Sequence, residues 1–310
     1  MPLNRRHFLQ SSIGLATAVS FGVPDPQAEN TKLPFPISCN QYSWFTFFRR
    51  EGRDWKADLD VSMSEYAQSG FQAFEPSFES VGEVEKLAPI VKKHGIAVPS
   101  FYVNSLLHEI DAGKKSIGQV LTIAEIAQKL LGTTIIVTNP SPINWNGSEN
   151  KNDPQLEEQA KNLNQLGLEL RKMGMTLAYH THDMEMRAGA REFHHMMLNT
   201  DPANVTFCMD VHWIYRGSGN SQLAVFDVLK LYGQRITEMH IRQSKDGIWT
   251  EVFAENGDVN YHQVADELRK MGIAPHIVME QCLEKQSPNV HNAIDAHQED
   301  LKRATQTFSL

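Results

Sequence analysis

The chain has 310 residues, 41% of them hydrophobic and 21% charged, with a formal charge of −8. That composition belongs to a globular protein with enough chain for one (β/α)₈ barrel or two smaller domains. The acidic balance, with no basic stripe, excludes nucleic acid as an expected partner, because nucleic-acid binders concentrate positive charge.

The chain opens on Asn4-Arg5-Arg6-His7-Phe8-Leu9, an uncharged run from Gln10 to Val23, and Pro26-Gln27-Ala28 ahead of a polar stretch. This segment resembles a twin-arginine export signal. The resemblance implies cleavage after Ala28 and delivery of the folded chain, already loaded with any metal, to the periplasm. The apolar run is too short for a stable membrane anchor. Residues 1–28 are expected to be the signal and residues 33–308 the folded domain.

Beyond residue 33, short β-branched or aromatic runs alternate with longer helical patterns. Strands are predicted at 35–40, 71–76, 96–102, 133–139, 175–181, 205–211, 236–242 and 276–282. Helices are predicted near 62–69, 81–94, 116–131, 153–173, 190–199, 222–232, 260–271 and 289–307. Strands that alternate with helices run parallel, and eight such units predict a single-domain (β/α)₈ TIM barrel. Gly70, Gly95, Gly132, Gly174 and Gly272 punctuate helix ends, where a left-handed cap is needed. Arg171-Lys172-Met173-Gly174 is echoed by Arg269-Lys270-Met271-Gly272, like a repeated unit. Ser62 with Glu65 reads as a capping box, and Asp153-Pro154 as N-cap and first helical residue. The long connections 140–152 and 243–259 follow strand ends and are expected to wall a site.

His180, Asp210, His240 and Glu280 end the fifth to eighth predicted strands, at separations of 30, 30 and 40 residues. A lone strand-end histidine is usually structural, and a lone acid there is often a helix cap. Four at matching positions point to a cation, since buried carboxylates facing one another repel. Two imidazoles and two carboxylates at a barrel rim form a ligand set for one divalent ion, with Mn²⁺, Co²⁺, Zn²⁺ and Mg²⁺ as candidates. His182 shares side-chain parity with His180 and is a candidate acid or base. Glu185 reads either as a substrate contact or as a solvated loop acid. Glu75, Asn40, His108, Asn139, His212 and Arg242 are candidates for substrate contact, Arg242 for an oxyanion in particular. Trp44, Phe45, Trp145, Trp213 and Trp249 either stack on a sugar ring or simply pack. Cys39, Cys208 and Cys282 lack C-x₂-C pairing and are expected to be small buried thiols.

From about residue 33 to 305, these strand-end positions resemble the sugar isomerases and epimerases with a xylose isomerase-like TIM barrel. In that family the fifth to eighth strands supply Glu, Asp, His and Glu to a divalent metal, and two glutamates serve as acid and base. Asp210, His240 and Glu280 match the last three positions, while His180 stands in the first. The segment Tyr179-His180-Thr181-His182-Asp183 resembles the His-x-His-Asp branch, which includes inosose dehydratase-like and ketosugar hydratase-like members. Where the family carries His-x-Lys-Asp, this chain has His240-Ile241-Arg242-Gln243. The resemblance implies a sugar, cyclitol or ketosugar substrate, proton abstraction α to a carbonyl, Glu280 as ligand and base, and His182 or Glu185 as the opposing acid. Isomerisation or epimerisation and dehydration or hydration both stay open, as does assembly into a homo-oligomer. An endonuclease IV-type phosphodiesterase is disfavoured by the acidic charge, and a Rossmann oxidoreductase by the lack of a G-x-G-x-x-G after the first strand. A non-catalytic sugar-binding protein would keep the aromatics and lose the metal.

Overall fold

A computed structural model describes residues 32–308. The segment expected to be an export signal lies outside the described residues. The strands are β1 (Ser38–Asn40), β2 (Ala73–Glu75), β3 (Ser100–Ser105), β4 (Ile135–Pro140), β5 (Thr176–His180), β6 (Val205–Asp210), β7 (Ile236–Ile241), the hairpin pair β8 (Ser244–Lys245) and β9 (Ile248–Trp249), and β10 (His276–Met279). Eight of them form one parallel sheet in the order β2-β1-β10-β7-β6-β5-β4-β3. Parallel bridges Ala73–Ala97 and Ser77–Tyr102 join the two outer strands and close a (β/α)₈ barrel.

All eight predicted barrel strands are present, several shortened by proline. Pro36, Pro76 and Pro99 lack the N–H a ladder needs, so β1 and β2 keep three residues each and β3 starts at Ser100 rather than 96.

The helices are α1 (Gln41–Arg50), α2 (Leu59–Gln68), α3 (Val81–Lys93), α4 (Ile110–Leu131), α5 (Asp153–Lys172), α6 (Arg187–Asn199), α7 (Val211–Gly217), α8 (Gln222–Tyr232), α9 (Tyr261–Met271) and α10 (Ala293–Phe308). α1 and α7 were not foreseen. Both begin immediately after a strand, with no turn or loop between. Asn40 and Asp210 start them, each side chain accepting from a backbone N–H in the first turn. The expected capping box at Ser62 is corrected: Asp58 caps α2, accepting from Asp60 and Val61 N–H, and Ser62 Oγ donates to the Trp55 carbonyl at 2.9 Å. On α5 the cap is Asn152, in a capping box with Gln155, so Asp153 is helical instead. Gly132 and Gly272 close α4 and α9 in the left-handed conformation, at φ 72° and 66°.

Most of the apolar core lies between the sheet and the helical ring. Inside the barrel the apolar cluster is small, centred on Ile135, Val137, Ala178 and Cys208. Ser38, Glu75, Glu238, His240 and His276 fill much of the rest, all of them buried. The three cysteines are free and buried. No helix among the described residues is long and apolar enough to cross a membrane.

Candidate metal centre

The four strand-end residues come together. β5 and β6 end at His180 and Asp210, His240 is the penultimate residue of β7, and Glu280 follows β10 directly. One donor atom from each lies within 4.8 Å of the others, and all four residues are buried. Asp210 Oδ1 caps α7 by accepting from the Trp213 N–H at 2.8 Å, which leaves Oδ2 for the cluster.

Arg242 reaches into the same cluster. Its Nη2 donates to Asp210 Oδ2 at 2.7 Å and to Glu280 Oε1 at 2.8 Å, and its Nη1 to Cys282 Sγ at 3.2 Å. The guanidinium lies 4.9 Å from the ring centres of Trp213 and Trp249. Burial alone would lower the Arg242 pKa, but Asp210 and Glu280 hold it well above the ordinary value. Burial would likewise raise Asp210 and Glu280, yet the guanidinium together with the neighbouring imidazoles, His180 and His240 at Asp210 and His240 at Glu280, outweighs it and both sit below the usual carboxylate range. Part of the positive charge that two buried carboxylates require is thus built into the chain.

The two imidazoles of the cluster differ. His180 Nε2 lies 3.5 Å from Asp210 Oδ2 without hydrogen-bond geometry, and neither ring nitrogen has a hydrogen-bond partner. Burial pushes its pKa down. His240 is held on both sides: Nδ1 lies 2.7 Å from Glu280 Oε2, while Nε2 lies 3.1 Å from Glu75 Oε2 and 3.2 Å from Glu238 Oε1. Burial pulls His240 down too, but Cys208, Glu75 and Glu238 around it hold it well above the ordinary value. Burial pushes Glu75 up to about 7, against the pull of His240.

This donor set fits a divalent cation. A fully buried imidazole without a partner carries a desolvation cost that coordination removes. Asp210, His240 and Glu280 complete a mixed nitrogen and oxygen set suited to a borderline metal. Loading requires His240 to release its proton, as ligation by imidazole does generally.

A cavity of about 470 Å³ opens over the cluster, with His180, His182, Arg242, Glu280 and Asn40 at its base. Its sides are aromatic: Tyr42, Phe78, Tyr102, Trp145, Trp213 and Trp249. A larger hollow of about 860 Å³ lies near the N-terminal ends of β1 and β2 and holds no cluster of titratable groups, so the chemistry belongs to the smaller one.

The other sequence-predicted residues divide between the cavity and its supports. The His182 ring lies 4.9 Å from His180, 5.5 Å from Trp145 and 5.6 Å from Trp213, and burial pushes its pKa down to about 3. Asn40 lines the cavity and donates to Glu75 Oε2 at 2.7 Å. Asn139, Glu185, His108 and His212 are absent from the lining. Glu185 Oε2 accepts from the His182 N–H at 2.7 Å, and Oε1 from Asn139 Nδ2 at 3.3 Å. Asn139 also donates to the His180 carbonyl at 3.0 Å. These two residues therefore secure the turn that carries both histidines. His212 Nε2 sits 2.8 Å from Ser244 Oγ under the β8–β9 hairpin, and His108 lies 4.0 Å from Glu109. Trp44 packs on His297 at 4.3 Å, and Phe45 packs on Tyr42.

Two buried residues near the site escaped the sequence reading, Glu238 and His276. Strand parity was the available signal: Glu238 is two residues before His240 and His276 four before Glu280, so each shares an inward face with a cluster residue.

A closed eight-stranded barrel with imidazoles and carboxylates gathered at its C-terminal rim defines the class: TIM-barrel proteins whose chemistry sits above the strands. The chain belongs to the family of xylose isomerase-like TIM barrels, whose model matches residues 63–306. Its fold is shared with a sugar phosphate isomerase/epimerase from Parabacteroides distasonis, at TM-score 0.67 and 17% identity over 88% of this chain and 93% of that one. A D-psicose 3-epimerase from Clostridium cellulolyticum, solved with D-tagatose, gives TM-score 0.63 and 14% identity over 89% and 98%. A xylose isomerase-like TIM barrel protein from Mycobacterium smegmatis, in complex with magnesium, gives TM-score 0.63 and 14% identity over 89% and 97%. At these identities the likeness speaks for the fold. No curated protein matches the chain.

Proposed function

We propose that this chain is an exported enzyme that isomerises or epimerises a sugar, cyclitol or ketosugar by moving a proton at the carbon beside a carbonyl. His180, Asp210, His240 and Glu280 would hold one divalent cation. The observation that carries this reading is a neutral imidazole, His182, facing the same aromatic-walled cavity as the rim cluster. The family, and the epimerases that share its fold, support it. When bound, the cation supplies Lewis acidity toward a carbonyl oxygen.

The remaining work falls to side chains. Glu280 is a poor base as it stands, since Oε1 is engaged by Arg242 and Oε2 faces His240. His182 lines the cavity and burial keeps its ring neutral, which makes His182 the better acceptor for the substrate proton. Arg242 stands ready to offset negative charge as it develops on substrate oxygens. The tryptophan and tyrosine faces can stack on a sugar ring and keep water out. Dehydration needs an acid at the leaving hydroxyl, and His182, titrating near 3, is a neutral imidazole and not an imidazolium at neutral pH in the free protein.

The test is incubation with ketoses, aldoses and keto-cyclitols in D₂O with a divalent metal, followed by NMR and mass spectrometry. Deuterium at the isomerised or inverted carbon is expected, with no loss of water. Turnover should drop about 10²- to 10⁴-fold in His182→Ala while metal content is retained. Loss of water would assign a lyase instead, and no exchange with any substrate or metal would refute proton transfer. Export is proposed on Arg5-Arg6. Replacing both with Lys should hold the precursor in the cytoplasm, and a normal periplasmic level of that variant would overturn it.

A further inference from the structure

The layer of the barrel just below the rim cluster is polar where barrels usually place branched apolar residues. Glu238 on β7 and His276 on β10 are register partners in adjacent strands, and both are fully buried. Glu238 Oε2 lies 2.8 Å from His276 Nδ1, and His276 Nε2 lies 2.8 Å from Ser38 Oγ on β1. The other Glu238 oxygen, Oε1, faces His240 Nε2 at 3.2 Å. Three neighbouring strands thus contribute a continuous hydrogen-bonded belt, Ser38–His276–Glu238, that ends on one nitrogen of one cluster residue. Burying a carboxylate and an imidazole here costs free energy that an apolar layer would not, so the belt calls for a role.

We propose that Glu238, backed by His276 and Ser38, is a positioning residue that holds His240 by Nε2 and thereby presents Nδ1 to a cation in the rim cluster. The inference rests on the metal reading of that cluster. With Nε2 committed to carboxylate, the ring cannot turn over, and its lone pair stays on Nδ1, the nitrogen 2.7 Å from Glu280 Oε2 in the rim cluster. A carboxylate on the far nitrogen also makes imidazole a stronger ligand. Glu75 approaches the same nitrogen from β2 at 3.1 Å, but its Oε1 has no partner. Glu238 has both oxygens anchored and is therefore the member that fixes orientation.

The test uses the mature protein and Co²⁺, titrated against a competing chelator, with the visible spectrum of the bound ion recorded. Glu238→Gln keeps the volume and removes the charge. It should weaken Co²⁺ binding about 10- to 100-fold and alter the spectrum. Ser38→Ala, which removes only the far end of the belt, should give a smaller loss in the same direction. The thermal stability of each metal-free variant is measured alongside. A Glu238→Gln variant that is less stable but binds Co²⁺ with wild-type affinity and spectrum would reduce the belt to a structural element and overturn the proposal. If Glu238→Gln does not fold, His276→Phe is read in its place, and unchanged Co²⁺ affinity there is equally fatal. Failure of the wild-type protein to bind any divalent ion would instead remove the metal reading itself, and the positioning role with it.

Discussion

Three residues of spacing separate a side chain that faces the cavity from one that supports it. His182 and Glu185 share a turn, yet His182 lines the cavity while the Glu185 carboxylate folds back onto the His182 N–H and Asn139. Burial, with Glu192 adding to it, pushes Glu185 up to about 7. A carboxyl whose folded-state pKa is raised binds more protons folded than unfolded, so the stability it contributes is complete below about 4.5 and is lost as pH rises toward about 7. Gln at this position removes the titration and keeps an acceptor for the His182 N–H. Comparing urea unfolding of wild type and Glu185→Gln from pH 4.5 to 8, the balance should shift toward the variant by up to about 3 kcal/mol. Parallel pH profiles would show that Glu185 titrates normally.

At the level of elements, the loop after β7 holds more organisation than its length suggested. β8 and β9 bring Trp249 over Arg242, and Asp258 ties the hairpin: it accepts from Ser244 Oγ at 2.6 Å and from the Asp246 and Gly247 N–H groups at 2.9 Å each. Gly247 sits at φ 78° in the turn, where a side chain would be strained. Asp258→Ala should cost about 1–3 kcal/mol by leaving these donors unpaired. It should also change tryptophan fluorescence, and the change should vanish when Trp249 is replaced by Phe. An unaltered emission spectrum in Asp258→Ala would mean that the hairpin is held by its other contacts, including Arg216 to the Gly247 carbonyl and to Glu284.

For the whole molecule, the unusual feature is how much charge the barrel encloses. Arg242 is the counterion that lets Asp210 and Glu280 stay ionised without solvent. Arg242→Met should destabilise the metal-free protein by about 3–5 kcal/mol, because two buried carboxylates lose their partner. A divalent cation would supply the missing charge, so saturating metal should stabilise the variant more than the wild type. At a hundredfold excess over Kd, the linkage contribution is about 2.7 kcal/mol. Urea unfolding with and without metal reads both effects. Equal stabilisation of the two proteins would show that Arg242 and the cation do not share one charge-balancing role.

The alternation of strand and helix, and the polar residues ending the last four strands, were legible because they are local: hydrophobic period, proline and glycine punctuation, and one residue at one end of one strand. They were enough to predict the barrel and to bring His180, Asp210, His240 and Glu280 to one rim. Helices α1 and α7 were hidden because Asn40 and Asp210 end strands and cap helices at once, so no loop marks the change. The partners of each side chain were decided only in three dimensions. Glu185 and Asn139 turned to support, and Arg242 took a place between two carboxylates. Glu238 and His276, which parity alone would have turned inward, met only because β7 and β10 are neighbours in the barrel. Which buried charges face one another depends on strand order and closure, and contacts between strands 30 or more residues apart leave no periodic trace in the chain.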